Sequence, residues 1–426
     1  MNKFKYASLF SGIGGFETAL NRLGGECVFA SEIDKWAQKA YGILYGDDVL
    51  HGDITEIDAK AVPDHDLLTA GFPCQAFSIA GKRLGFEDTR GTLFFEVARI
   101  AREKQPKAVL LENVKGLVNH DKGRTLDTIV QTLNDIGYTV DFEVLNSKYF
   151  GVPQNRERIF IIGIRDDLTE QSSWSIGKAA NVAPVVAKGK KRIGALAGVK
   201  TFNFDWPSQD IVTTRLRDIL ESDVDERYYL SEEKTAKLVA QLNETMPAHF
   251  PTPDAVNNTL RMGGKGSLSA KHNYDHIAEP QMLGHVDIKG HDAVRRVYAP
   301  TGVSPTLTTM GGGHREPKIA EEVRPVQTPD RLNKQQNGRR LKEDGEESFT
   351  LTTQDRHGVA IGTPPRYRIR KLTPLECFRL QAFPDDYYTK LTQAGISNSQ
   401  LYKMAGNAVT VTVVEAIGKR LLEAIS

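Results

Sequence analysis

The chain has 426 residues, 40% hydrophobic and 26% charged, with a net charge of +1. That length holds two domains and at least one sizeable core. No apolar run approaches the ~20 residues that span a bilayer, so no membrane partner is expected. Three widely spaced cysteines, Cys27, Cys74 and Cys377, fit free thiols in a reducing cytoplasm and argue against a disulfide framework or a Cys-rich zinc site.

Met1–Tyr6 runs into a strand-like segment without a signal-peptide core. From there to about residue 168, short apolar runs alternate with amphipathic segments. The strands are expected at Tyr6–Phe10, Cys27–Ser31, Asp66–Ala70, Ala108–Glu112, Asp141–Leu145 and Arg158–Ile164. Helices are expected at Phe16–Leu23, Lys35–Tyr45, Thr92–Glu103 and Arg124–Ile136, the last stopping at Gly137. This alternation predicts an α/β fold, a doubly wound parallel sheet covered on both faces.

From about 169 to 365 the texture changes to Gly, Pro, Thr and charge, with helical periodicity only at Ser231–Glu244. Asn258–Gly264, Pro305–Gly311 and Phe349–Asp355 share a Thr-Leu core followed by polar or glycine-rich residues. An aliphatic residue (Ile277, Ile319, Val359) comes further on in each. This weak repeat suggests strand–loop units of a small, irregular, mostly β domain, against chance recurrence of a turn-rich composition. Ile176 to Phe204 carries Lys178, Lys188, Lys190, Lys191, Arg192 and Lys200 and no acid. Arg356 to Lys371 adds Arg356, Arg366, Arg368, Arg370 and Lys371, again without an acid. Two such stretches flanking one region suggest a phosphate-tracking surface, solvated faces being the other reading. Helical texture returns at Thr373–Gln381 and Val411–Ile425. The expected domains are therefore 1–168, 169–390 and a segment 391–426 that returns to the first.

Four places carry chemistry. Gly12, Gly14 and Gly15 follow strand one and open helix one, letting backbone approach a nucleotide-type ligand. The Gly-x-Gly-Gly spacing lacks the third glycine of the dinucleotide fingerprint, which leans away from NAD. Glu32 ends strand two, placed for a ribose diol, and Asp53 follows, within reach of an adenine amino group. Cys74 lies in Gly71-Phe72-Pro73-Cys74-Gln75, just past a buried strand, where α/β folds place their reactive groups; a small buried hydrophobe is the alternative. Glu112 ends another strand, in Leu110-Leu111-Glu112-Asn113-Val114. Gln154-Asn155-Arg156-Glu157-Arg158 sets two arginines on one side of an extended chain, unless they form a surface ion pair with Glu157.

Phe-x-Gly-x-Gly-Gly, Pro-Cys-Gln-x-Phe-Ser, Glu-Asn-Val, Gln-x-Arg-x-Arg and Gly-Asn-Ala-Val occur in that order. In this the chain resembles the cytosine-C5 DNA methyltransferases of bacterial and phage restriction-modification systems, over residues 4–168 and about 366–426. The intervening segment holds the family's variable target-recognition position. The resemblance implies S-adenosylmethionine, leaving as S-adenosylhomocysteine, in a pocket of Phe10, Gly12, Gly14, Gly15, Glu32, Ile33, Asp53, Ile54 and Pro73, completed by Asn407 and Val409, with no metal. It makes Cys74 the nucleophile and Glu112 the group at cytosine N3. Gln154, Arg156 and Arg158 become the shell of the base and of the catalytic loop, with Arg158 at O2 and Arg156 holding the loop. The glycine- and charge-rich stretch Ala80–Gly91 is expected to close over a flipped base. The implied partner is double-stranded DNA, in the cytoplasm, with a monomeric enzyme and any cognate endonuclease acting on the same site without stable association. A tRNA substrate, used by one branch of the superfamily, is the near alternative.

Overall fold

The apolar runs between Tyr6 and Ile164 fold as strands of one seven-stranded sheet. The computed structural model describes residues 3–73, 93–175, 184–229, 231, 233, 282–285, 296–298, 304–305, 318–322 and 367–426. The strands are β1 (Phe4–Leu9), β2 (Gly25–Ser31), β3 (Leu50–His51), β4 (Leu67–Gly71), β5 (Ala108–Val114), β6 (Tyr138–Asn146), a two-residue β7 (Gln154–Asn155) and β8 (Glu157–Arg165). The sheet order is β3-β2-β1-β4-β5-β8-β6, and only β8 runs against the others. The sheet is thus mostly parallel, as expected, with one reversed strand that the alternation did not reveal.

The helices are α1 (Gly15–Arg22), α2 (Lys35–Tyr45), α3 (Leu93–Lys104), α4 (Arg124–Asp135), α5 (Pro184–Ile193), α6 (Pro374–Arg379), α7 (Asp385–Gln393), α8 (Asn398–Asn407) and α9 (Val411–Ala424). In α4, Leu126, Ile129, Val130 and Leu133 recur at helical spacing and are buried, and Gly137 at φ +95° follows its end. One face of the sheet, carrying Ala7, Leu9, Leu68, Ala70, Val109, Leu111 and Val140, packs on α3, α4 and α5. The alternate residues point to the opposite face. There the Tyr6 hydroxyl donates to Asn21 of α1, and α1 packs on α9. None of the described helices is long and apolar enough to cross a membrane.

By its contacts the chain divides into two units. One holds Met1–Thr214, Pro305–Gly311 and Pro374–Ser426, the other Arg215–Ser304 and Gly312–Thr373. The first boundary therefore falls at 214 rather than 168, and the physical reason lies at the sheet edge. β6 is the outermost strand, yet all nine of its residues are buried. Residues 200–209 run along it: Val140 N–H donates to Lys200 O at 3.1 Å and Phe202 N–H to Val140 O at 3.4 Å. The Gln209 side chain then accepts from Asn146 N–H at 2.7 Å and donates to Val144 O at 3.1 Å. The Asp141 carboxylate, 1% exposed, gathers Lys190 (2.8 Å), the Phe204 N–H (3.0 Å) and the Trp206 indole N–H (2.8 Å). An open strand edge is thereby covered.

The second boundary falls at 374 rather than 390, because Pro374, Cys377 and Phe378 of α6 are buried in the first unit. In the second unit, β9 (Met282–His285), β10 (Arg296–Tyr298), β12 (Lys318–Glu322) and β13 (Tyr367–Lys371) form a sheet of order β13-β12-β10-β9. A two-residue strand, β11 (Ser304–Pro305), lies between β10 and β12 in the chain. Ile319 of the third-on aliphatic positions sits in β12. The Thr-Leu cores, their loops and the Ser231–Glu244 helix fall almost wholly outside the described residues.

Candidate active site

The order β3-β2-β1-β4-β5 reverses direction at β1, so the crevice beyond the carboxyl ends of β1 and β4 is the topological switch point where α/β sheets bind ligands. Leu9 pairs with Ser31 and Ala70, and Gly71 with Glu112, so the functional loops leave the sheet level with one another.

The first of these loops turns sharply. Phe10 (φ +57°), Gly12 (φ +57°) and Gly14 (φ +80°) are all left-handed. Ser11 N–H donates to Ser31 O at 2.9 Å, and Gly14 O accepts from the Tyr45 hydroxyl at 2.7 Å and the Thr18 hydroxyl at 2.8 Å. A Cβ on Gly14 would stand 2.2 Å from the Tyr45 ring, and one on Gly15 2.7 Å from Val409 Cγ1, so both must be glycine. A Cβ on Gly12 would meet nothing within 4 Å, which marks the open side of the cradle. Glu32 reaches into it: one carboxylate oxygen accepts from Gly12 N–H (2.8 Å) and the other from Asp34 N–H (2.7 Å). Each oxygen keeps a lone pair for a diol.

The remaining cofactor candidates divide. Ile33 is 66% exposed, unusual for isoleucine and suited to a planar ligand, and Asn407 and Pro73 are also exposed. Asp53 uses Oδ1 to cap the turn at Ile54–Glu56. The Ile54 side chain, by contrast, is 3% exposed and lies in the main core with Phe72 and Phe94, so its expected ligand contact is not made by that side chain. Val409 is also buried, but against Gly15, so it supports the loop from beneath. Open glycine cradle, free carboxylate lone pairs and exposed apolar platform together fit a nucleoside-type cofactor.

At the end of β5, Glu112 Oε1 lies 3.1 Å from Arg158 Nε, both side chains about one-seventh exposed. Burial lowers the Arg158 pKa and the carboxylate beside it opposes that shift. The surface pairing weighed for these arginines goes elsewhere: Glu157 binds Lys115 at 2.7 Å. Asn113, 3% exposed, donates its side-chain N–H to Phe72 O at 2.7 Å, while its amide oxygen accepts from Val114 N–H. It thereby ties the glutamate strand to the backbone entering Pro73-Cys74. The motif held Asn113, but only the fold shows its task, because the partner lies 41 residues away. Cys74 itself and the Ala80–Gly91 stretch lie outside the described residues. The two described cysteines are no rivals as nucleophiles. Cys377 is buried, and burial pushes the Cys27 thiol up to about 12.

Gln154 and Arg156 both reach the C-terminal part of the chain. Gln154 is fully buried and donates to Leu380 O at 2.7 Å. Arg156 is 3% exposed and donates to Gly406 O (3.3 Å) and Ala408 O (2.8 Å). The basic stretch at 176–204 departs from expectation. Lys190 pairs with Asp141, Arg192 with Asp127 at 2.9 Å and Lys200 with Asp166, leaving Lys188 and Lys191 exposed. Lys178 lies outside the described residues. Half of that charge is internal glue, so the run is not one phosphate-tracking surface. In the second stretch Arg370 is fully buried.

The glycine cradle and the Glu112–Arg158 pair thus lie at one switch point of the sheet. The model of the C-5 cytosine-specific DNA methylase family matches residues 4–423, and the chain belongs to that family. It is a DNA cytosine-5-methyltransferase, of the class that takes the methyl group from S-adenosylmethionine. The chain is 51% identical to the orphan methyltransferase M.SPBetaI of Bacillus phage SPbeta, over 99% of this chain and 98% of that one. It is 38% identical to the type II methyltransferase M.HpaII of Haemophilus parainfluenzae, over 99% and 90%. In fold it is similar to the Schizosaccharomyces pombe ("S. pombe") Dnmt2 methyltransferase, with a TM-score of 0.56 at 18% identity over 99% of each chain.

Proposed function

We propose that this enzyme methylates C5 of one cytosine within a short specific duplex sequence, through base flipping and a covalent bond from Cys74 to C6. The observation that carries the reading is the Glu112–Arg158 pair, held beside the Phe72–Pro73 backbone by Asn113 and sharing its crevice with the glycine cradle. Cytosine C5 is a poor nucleophile. Addition of the Cys74 thiolate at C6 makes it enamine-like, a proton or strong hydrogen bond from Glu112 to N3 stabilises the charge that develops on the ring, and Arg158 contacts O2. A free thiol titrates near ~8.5, so the site must favour the thiolate, with Arg158 the cation at hand. Attack comes perpendicular to the ring, so the base leaves the stack at a cost of roughly a few kcal/mol.

The S-adenosylmethionine that Gly12, Gly14, Gly15, Glu32, Ile33, Asp53 and Asn407 would hold supplies the methyl group as an electrophile. Loss of the C5 proton and expulsion of Cys74 then restore aromaticity. The second unit is read as the target-recognition domain. The enzyme is taken to be a cytoplasmic monomer without a stably bound endonuclease, in keeping with a phage relative named an orphan methyltransferase.

The test is tritium release from [5-³H]cytosine DNA with S-adenosylmethionine, together with a trapped adduct on 5-fluorocytosine DNA. Cys74→Ala should abolish the adduct. No tritium release and no adduct from the wild-type protein would overturn the reading.

A further inference from the structure

Arg156 lies in a motif that resemblance assigns to the base and the catalytic loop, and its guanidinium also reaches residues near the C-terminus. Its main chain is fixed first: Arg156 N–H donates to Asn146 Oδ1 at 3.1 Å, and Arg156 O accepts from Ser147 N–H at 3.0 Å. From that anchor at the end of β6 the guanidinium reaches the C-terminus of α8. Nη1 binds Gly406 O at 3.3 Å and Nη2 binds Ala408 O at 2.8 Å. These two carbonyls flank Asn407. A planar guanidinium is suited to this because its donors form a rigid fork, whereas a lysine presents one rotating ammonium. The last carbonyls of a helix also lack intrahelical partners, and a cation there meets the negative end of the helix dipole.

The surroundings make the bracket stiff. Gln381, fully buried, donates to Ala405 O at 2.7 Å and accepts from the Thr410 hydroxyl at 2.8 Å. Thr410 and Ser147 share a hydrogen bond of 2.8 Å, and Gln154 holds Leu380 O. The Ala405, Gly406 and Ala408 carbonyls around Asn407 are thus held by Gln381 and Arg156, while Asn407 is left exposed. Two residues on, Val409 lies against Gly15 of the cofactor cradle.

We propose that Arg156 is a positioning residue for the cofactor: its buried fork brackets the carbonyls on either side of Asn407 and so holds the Asn407–Val409 wall against the glycine loop. The inference rests on the reading of Asn407 as a cofactor contact. It separates Arg156 from Arg158 in function, one arginine serving the cofactor and the next the base.

Isothermal titration of the full chain with S-adenosylhomocysteine tests it, since binding is read without turnover. Arg156→Lys keeps the charge but breaks the fork, and should weaken S-adenosylhomocysteine about 10-fold, as expected for losing one charge-assisted hydrogen bond. On DNA the loss should fall more on KM for S-adenosylmethionine than on kcat. The affinity losses of Arg156→Lys and Asn407→Ala should not add in the double variant, because one residue acts through the other.

Arg156→Lys that lowers kcat while leaving the affinity unchanged would return Arg156 to the base pocket and overturn the proposal, as would strict additivity. If Asn407→Ala itself leaves S-adenosylhomocysteine binding intact, the cofactor reading of Asn407 fails instead. Should Arg156→Lys not fold, hydrogen exchange of the wild-type 404–410 peptide decides. Slower exchange on adding S-adenosylhomocysteine supports the bracketed wall, and unchanged exchange overturns it.

Discussion

Replacing Glu17 by glutamine should make the protein more tolerant of alkaline pH. Glu17 lies in the first turn of α1, two residues after Gly15, and is fully buried with neither carboxyl oxygen hydrogen-bonded. Burial pushes its pKa from the ordinary 4.5 up to about 7, against the pull of the nearby Ser8, Tyr41 and Ser11 hydroxyls. The titratable groups facing it, Tyr6 on β1, Cys27 on β2 and Tyr41 and Tyr45 on α2, are weak acids whose own pKa values burial raises.

The sign of the pH effect follows. Below 4.5 the carboxyl is protonated whether the chain is folded or not. Between 4.5 and about 7 the unfolded chain releases a proton that the folded chain keeps, so stability falls as pH rises and levels off above the folded value. At ~1.4 kcal/mol per pH unit, that interval amounts to about 3 kcal/mol. Glutamine has nearly the same shape and carries no charge at any pH. Urea unfolding of both proteins at a series of pH values from 5 to 8.5, at constant ionic strength, reads the difference. The variant should gain on wild type by up to about 3 kcal/mol across the series, most of it before pH 8. A difference between the two that stays constant with pH would show that Glu17 is not the uncompensated buried acid described here.

Asn113→Ala leaves the Phe72 carbonyl without its donor in a buried site, worth ~1–3 kcal/mol. Tritium release from [5-³H]cytosine DNA should slow by roughly 10- to 100-fold while S-adenosylhomocysteine affinity holds, and an unchanged rate would refute its role in registering Cys74 against Glu112. Asp141→Asn should destabilise by ~3 kcal/mol in urea unfolding, because it strands the Lys190 charge in the core. Adding Lys190→Met should recover most of that loss, and a single-variant loss under ~1 kcal/mol would show that the pair does not hold residues 184–206 to β6.

What could be read from the chain depends on how local its cause is. Strands such as Ala108–Val114 and helices such as Lys35–Tyr45 declare themselves, because period and burial are set within ten residues. The pairing of β8 between β5 and β6, against both, leaves no mark on the apolar pattern. The basic stretch 176–204 gave no sign that residues 200–209 run along the sheet edge, held by backbone bonds and by side chain to backbone bonds such as those of Gln209 that have no period to detect. α7 and α8 have no counterpart among the expected helices. At the site, the motifs show which residues matter but not what each one touches. Glu112 and Arg158 meet across neighbouring strands, whereas the carbonyls that Gln154 and Arg156 bind lie 226 to 252 residues further along the chain. Such contacts appear only once both ends of the chain are folded together.

That dependence on both ends explains how a long middle can be carried. The cradle at Gly12–Gly15 is completed by Val409 from near the C-terminus, so the cofactor site closes only when the last two helices dock. Between them the chain leaves the first unit at Thr214 and rejoins it for good at Pro374. The entropic cost of closing such an excursion grows only with the logarithm of its length, about 0.6 kcal/mol per doubling. Buried bonds that join the two ends of the chain, Arg156 to Gly406 and Ala408, Gln154 to Leu380, Ser147 to Thr410, are each worth ~1 kcal/mol or more. Together they outweigh several doublings. The inserted unit is therefore free to change in length and sequence while Glu112, Arg158 and the glycine cradle stay in register.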